Sequence, residues 1–90
     1  VEELKREVQE KFGIEVKGMD DAWKLVEWLE ERGWVVYIIT ARGRKQVDAW
    51  HSNYGTLFAQ FGETPNFSSI LEGILRVTLL AKKLEEEGVV

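Results

Sequence analysis

Cysteine is absent from this chain, and proline, histidine and methionine occur once each. Without cysteine there is neither a disulfide framework nor a thiolate zinc site. The lone histidine, His51, lies three residues from Asp48. In a strand that offset places the two on opposite faces, so an acid–base pair would need a partner from elsewhere in the chain. No apolar run is long enough to span a bilayer and no signal-peptide pattern opens the sequence, so no membrane partner and a cytoplasmic setting are expected. Basic residues are in the minority: 12 Lys and Arg against 16 Asp and Glu give a formal net charge of −4. Duplex nucleic acid, which calls for a basic face, fits that balance poorly. Part of the acidity is local, since Glu85, Glu86 and Glu87 read as a solvated helix end.

The 90 residues that remain to be explained make one domain, organised around DDAWKLVEWLEERGWVVYIITA, residues 20–41. Ala22, Leu25, Val26 and Leu29 recur at the helical interval and form one apolar stripe. Asp20 and Asp21 stand where the unpaired amides and the dipole of a helix start favour carboxylates. Arg32 and Gly33 suit a helix end. Trp23 and Trp28 flank the stripe and are expected at the rim of the core. The following WVVYIITA is rich in β-branched and aromatic residues with almost no alternation, which predicts a strand covered on both faces.

Before this unit, Val1, Leu4, Val8 and Phe12 mark a first helix ended by Gly13, and IEV at 14–16 is a linker or an edge strand. After it, Gly43 within ARGRK supplies a hairpin turn carrying Arg42, Arg44 and Lys45. KQVDAWHS (45–52) and YGTLFAQF (54–61) both alternate and are predicted to pair as a hairpin. GETPN is a loop with Thr64 or Asn66 as helix cap. The last helix is predicted over about 67–87, with Phe67, Ile70, Leu71, Ile74, Val77, Ala81 and Leu84 inward. Gly73 costs such a helix about 1 kcal/mol relative to Ala and suggests close approach of another backbone. The predicted class is α+β and sandwich-like, in the order α-α-β-β-β-α: a three-stranded antiparallel meander with helices before and after, residues 1–16 forming an N-terminal helix and short extension and 19–87 the αβββα core.

The opening Asp21, Ala22 and Trp23, the junction Gly33–Trp34 and the apolar last helix (SSILEGILRVTLLA) resemble the phage ABA sandwich family, small single-domain phage and prophage proteins of largely unassigned activity. The resemblance covers roughly residues 19–82. The family commonly has a cysteine early in its last helix, where this chain has Ser68, Ser69 and Ile70. The resemblance implies a viral or prophage origin, an accessory role in the host cytoplasm and no functional residue that can be carried over. Double-stranded-RNA-binding domains share the strand and helix order, but the start of the last helix here, TPNFSSILEG, has no Lys or Arg to grip phosphates.

No catalytic, metal-binding or cofactor-binding constellation is expected. Capping accounts for Asp20, Asp21 and the serines, and GETPNFSS lacks the glycines of a phosphate loop. Candidate partner-binding residues fall in two groups. Alternation places Trp50, Tyr54 and Phe58 on one sheet face beside Arg42 and Arg44, with Tyr37 or Trp34 joining them. Left open, that face would stack single-stranded bases; the doubly apolar 34–41 strand favours a covered one instead. Leu75 and Leu79 are expected on the wet side of the last helix, in the manner of a helix-mediated interface or a homodimer contact. The leading expectation is a non-enzymatic protein that binds a host or phage protein stoichiometrically; the viral resemblance adds inhibition of a host or defence protein, anti-CRISPR activity being one instance. A single-stranded nucleic-acid binder and a small homodimeric structural protein are the alternatives.

Overall fold

In the computed structural model, which describes residues 1–90, the sheet is set by two consecutive residues with positive φ, Arg42 (51°) and Gly43 (79°). Both signs are those of a type I′ turn, whose twist matches that of the flanking strands. It folds β1 (Val35–Ala41) back on β2 (Arg44–His51) in unbroken antiparallel register, from Ala41 opposite Arg44 to Val35 opposite Trp50. Two short strands share the other edge of β2. β3 (Gly55–Thr56) pairs with Trp50 and His51, and β4 (Asn66–Phe67) pairs with Lys45 and Gln46. The remaining elements are helical: α1 (Glu2–Phe12), α2 (Met19–Glu31), α3 (Leu57–Phe61) and α4 (Ile70–Glu86). The class is α+β, with helices before and after an antiparallel sheet.

The alternating segment 54–61 is not a continuous third strand. Leu57 and Phe58 are both buried although adjacent, which one face of a strand cannot accommodate but a helical turn can. The acceptor that makes the turn possible comes from β2: Asp48 Oδ1 accepts the Phe58 N–H at 3.2 Å and the Ala49 N–H at 2.8 Å. The strand direction resumes beyond Gly62 (φ 70°), where Val47 N–H donates to the Pro65 carbonyl at 3.1 Å. Phe67 therefore belongs to the sheet, and α4 starts at a later cap than Thr64 or Asn66. Ser69 Oγ accepts the Glu72 N–H at 3.1 Å, and the Glu72 carboxylate takes the Ser68 N–H at 3.2 Å, a reciprocal capping arrangement. Residues 14–16 form no strand; Val16 is a buried part of the link between α1 and α2.

α4 lies at the centre of the domain. It packs on β2, on α2, on α1 and on α3, and α2 packs on β1. Being covered on several sides, α4 buries Leu75 and Leu79 (0% and 6% exposed) together with Ile74, Val77, Leu80, Ala81 and Leu84. The expectation that Leu75 and Leu79 face solvent is thus corrected: the neighbouring elements cover both, and the solvent-facing positions of α4 are those of Arg76, Lys83 and Glu86. Gly73 is where α4 crosses the sheet. A Cβ there would lie 2.6 Å from Val47 Cβ and 2.9 Å from the Phe67 ring, so the close approach is to side chains of β2 and β4.

α1 packs behind α4, away from the sheet. Val8 is fully buried and Phe12 meets Trp28 edge-to-face, with centroids 4.9 Å apart. Trp28 is a rim residue as expected, with the Arg32 guanidinium 4.1 Å over its ring. Trp23 is exposed.

Candidate functional site

The two long helices on the sheet, α4 over β2 and α2 over β1, pack from one side, so strand alternation leaves the other side of β1 and β2 open. Val36 and Ile38 of β1, with Val47 and Ala49 of β2, face the helices. Val35, Tyr37 and Ile39 of β1 face away from them, 45%, 46% and 51% exposed, and Trp50 of β2 joins them at 39%. The expectation of a sheet covered on both faces is corrected accordingly. The chain has one helix layer against the sheet and spends its remaining helix, α1, on the back of α4.

Register places the second row of the open face. Trp50 lies opposite Val35, Asp48 opposite Tyr37, and Gln46 opposite Ile39, with Arg44 at the hairpin end. Gln46 is held by its amide nitrogen, which donates to Asn66 Oδ1 at 2.8 Å. Asp48 spends Oδ1 on two backbone amides, that of Ala49 next to it in β2 and that of Phe58 in α3, while Oδ2 takes no protein hydrogen bond and remains accessible. A shallow depression of about 200 Å³ is lined by Tyr37, Ile39, Gln46, Asp48 and Pro65. It adjoins a second, of about 390 Å³, lined by Ile39, Ala41, Arg42, Arg44 and Gln46. The surface is therefore an apolar and aromatic strip with one available carboxylate oxygen in the middle and two exposed arginines at one end.

The expected aromatic trio does not assemble. Trp50 is on the open face, but Tyr54 sits in the turn after β2, half-buried, with its ring centroid 6.3 Å from that of Trp34. Phe58 is in α3, buried and packed against Phe67 at 5.6 Å. The helical turn that buries Leu57 and Phe58 together is what breaks the trio. Arg42 and Arg44 are exposed at the hairpin tip with no ion-pair partner, as an interaction role would require. Tyr37 takes the place of the missing rings. Val35, Ile39 and Asp48 were missed as a group, yet counting outward from the Arg42–Gly43 turn pairs Tyr37 with Asp48 and would have found them.

The other polar candidates are used structurally. His51 is buried; its Nδ1 accepts the Asn53 N–H at 3.1 Å, which leaves the proton on Nε2 to be donated to the Arg32 carbonyl at 3.0 Å. Ser68 and Ser69 cap α4. Asp21 accepts the Lys17 N–H at 2.8 Å, and that bond, with smaller help from the Lys24 ammonium, holds its carboxyl below the ordinary carboxylate range. No three His, Asp or Glu side chains converge as metal ligands would. Comparison of the chain with protein-family models, with curated proteins and with solved structures found no match.

Proposed function

We propose that this domain is a protein-binding module whose docking surface is the open face of the sheet. The carrying observation is Asp48: an accessible carboxylate oxygen set among Tyr37, Ile39 and Trp50, on strands rigidified by an unbroken register. Aromatic rings around a carboxylate suit an Arg or Lys side chain flanked by apolar groups, because the ring faces and the carboxylate both attract the cation while the aliphatic surface is removed from water. The net charge of −4 adds long-range attraction toward a basic target. Stoichiometric masking of a basic surface, as by an inhibitor of a host or defence protein, is the mode of action we assign to it, in keeping with the resemblance to phage proteins.

Single-stranded nucleic acid is less favoured on this face. Val35 and Ile39 contribute half of its exposed apolar side chains and cannot stack on bases, and Asp48 would repel a phosphate running from the rings toward Arg44.

The test is capture of host or phage proteins on the immobilised domain, then titration of the purified partner against wild type, Trp50→Ala and Asp48→Asn. We expect one-to-one saturation, loss of affinity of at least about tenfold for Trp50→Ala, and a shallower salt dependence for Asp48→Asn. A partner that binds all three proteins alike would overturn the proposal. So would saturable, salt-sensitive quenching of tryptophan fluorescence by mixed-sequence single-stranded DNA.

A further inference from the structure

The edge of the sheet, as distinct from its face, carries a second surface. β2 is paired on both sides, but β1 pairs with β2 alone. The type I′ turn makes Ala41 and Arg44 a hydrogen-bonded pair, so by alternation Ile39, Tyr37 and Val35 also direct their amides and carbonyls toward β2. The same alternation on β2 points Val47 the other way, and its N–H is indeed bonded to Pro65. Val36, Ile38 and Thr40 therefore present their N–H and C=O groups outward, without a backbone or side-chain partner. Folded proteins protect such an edge with charge, proline or a bulge. VVYIITA has no charged residue, no proline and no break in register over its seven residues.

We infer that this edge is the interface of a homodimer, in which two copies of β1 pair antiparallel across a twofold axis at Ile38. Three features of the chain select a second copy as the occupant. The hydrogen-bonding groups are self-complementary about that axis: Ile38 meets Ile38, Val36 meets Thr40 and Thr40 meets Val36, each pair exchanging N–H and C=O. On the open face the same register sets Tyr37 beside Ile39 and Val35 beside Ala41 of the second copy, with no like charges opposed. Along the edge, α2 and β1 form a groove lined by Trp23, Val26, Glu30, Trp34, Val36 and Ile38, in which Glu30 is the one charged side chain. That carboxylate supplies the third feature. Antiparallel pairing brings Arg42 opposite Trp34 of the second copy, which lines the same groove as Glu30. Neither Arg42 nor Glu30 has an ion-pair partner within the chain. They lie at opposite ends of a strand about 23 Å long and cannot meet within one molecule. The dimer forms the pair twice.

This dimer leaves Tyr37, Asp48 and Trp50 uncovered on the open faces and joins the faces into one continuous sheet; of the charged residues of the candidate site it uses Arg42 alone, so Trp50→Ala and Asp48→Asn test the face separately from the edge. Sedimentation equilibrium of the full chain over a concentration series is expected to show a reversible monomer–dimer equilibrium. Thr40→Pro removes an outward amide that β2 does not use, and is expected to give a monomer with an unchanged far-ultraviolet circular dichroism spectrum. Charge exchange provides a test that does not depend on that variant folding. Arg42→Glu and Glu30→Arg are each expected to weaken dimerisation about tenfold, and the double variant to restore it, because the pair is re-formed only between copies. A wild-type chain that stays monomeric at every concentration would overturn the inference. A dimer untouched by Thr40→Pro, or a double variant no better than the singles, would do the same.

Discussion

Gly73 is the residue whose chemistry most directly reports the packing of the domain. In an isolated helix its replacement by Ala would stabilise by about 1 kcal/mol. Here the added methyl group would meet Val47 and Phe67 well inside contact distance, with Val47 Cβ at 2.6 Å. Val47 is β-branched, fully buried and held in the central strand, so it has no rotamer to retreat into. Gly73→Ala is therefore expected to destabilise the fold by about 1–3 kcal/mol in urea unfolding, the cost of overpacking exceeding the gain in propensity. Val47→Ala alone opens a cavity, but the double variant should cost less than the sum of the singles, since each relieves the other. A stabilised Gly73→Ala protein would show that α4 can shift away from the sheet. That this glycine is anomalous was legible from its position in an apolar helix. Its neighbour was not, because Val47 belongs to another element and only the tertiary fold brings the two together.

At the scale of elements, legibility followed the period of the apolar residues. α1, α2, α4 and the β1–β2 hairpin stand near their expected places, because 3.6-residue stripes and a Gly-containing turn are local signals. α3 was missed because its decisive interaction is non-local: alternation in YGTLFAQF favoured a strand until Asp48 of β2 capped a helical turn. The candidate site shared that fate in part. Trp50, Arg42 and Arg44 are exposed where the hairpin was expected to carry them, while Phe58 and Tyr54 left the face with the lost strand. Element starts are also where a carboxylate has a measurable pH signature. Asp21, in the first turn of α2, has its pKa lowered chiefly by the Lys17 N–H it accepts. A folded value below the unfolded one, about 3.9, means that the stabilisation is complete above about pH 4 and disappears as pH falls through the lowered folded value. Asp21→Asn is accordingly expected to be less stable than wild type at pH 7, with the gap closing as the pH is taken below 4. Urea midpoints of both proteins at the two ends of that range decide it; a gap of constant size would mean that the carboxylate charge contributes nothing at this cap.

For the molecule as a whole, the question is what α1 does, since it covers neither the open face nor the β1 edge. The sequence divides naturally into residues 1–16 and 19–87, but the packing does not respect that division. Val8 and Val16 are members of the same buried cluster as Leu25, Leu29 and Ile74. Phe12 and Trp28 meet edge-to-face, the Lys82 ammonium lies 5.5 Å and 5.8 Å from their two ring centroids, and Lys11 pairs with Glu86 at 3.8 Å. α4 is apolar on more than one side and needs a cover on each. The sheet provides one, and α1 with α2 provides the other. Full burial of a valine contributes about 1.5–3 kcal/mol, so losing Val8 and Val16 together removes a large share of the 5–15 kcal/mol typical of a whole domain. Deleting residues 1–16 is thus expected to lower the Tm sharply, broaden the transition and raise the binding of a hydrophobic dye. Trp50→Ala, on the open face, is expected to leave the Tm almost unchanged. The contrast separates two kinds of apolar surface in one small protein. One is covered because α4 cannot stand in water, and the other is left uncovered at no cost to folding, which makes it free to serve a partner. If the truncated chain unfolds as cooperatively and at the same temperature as the intact one, α1 is an appendage, and the cover for α4 must come from α2 alone.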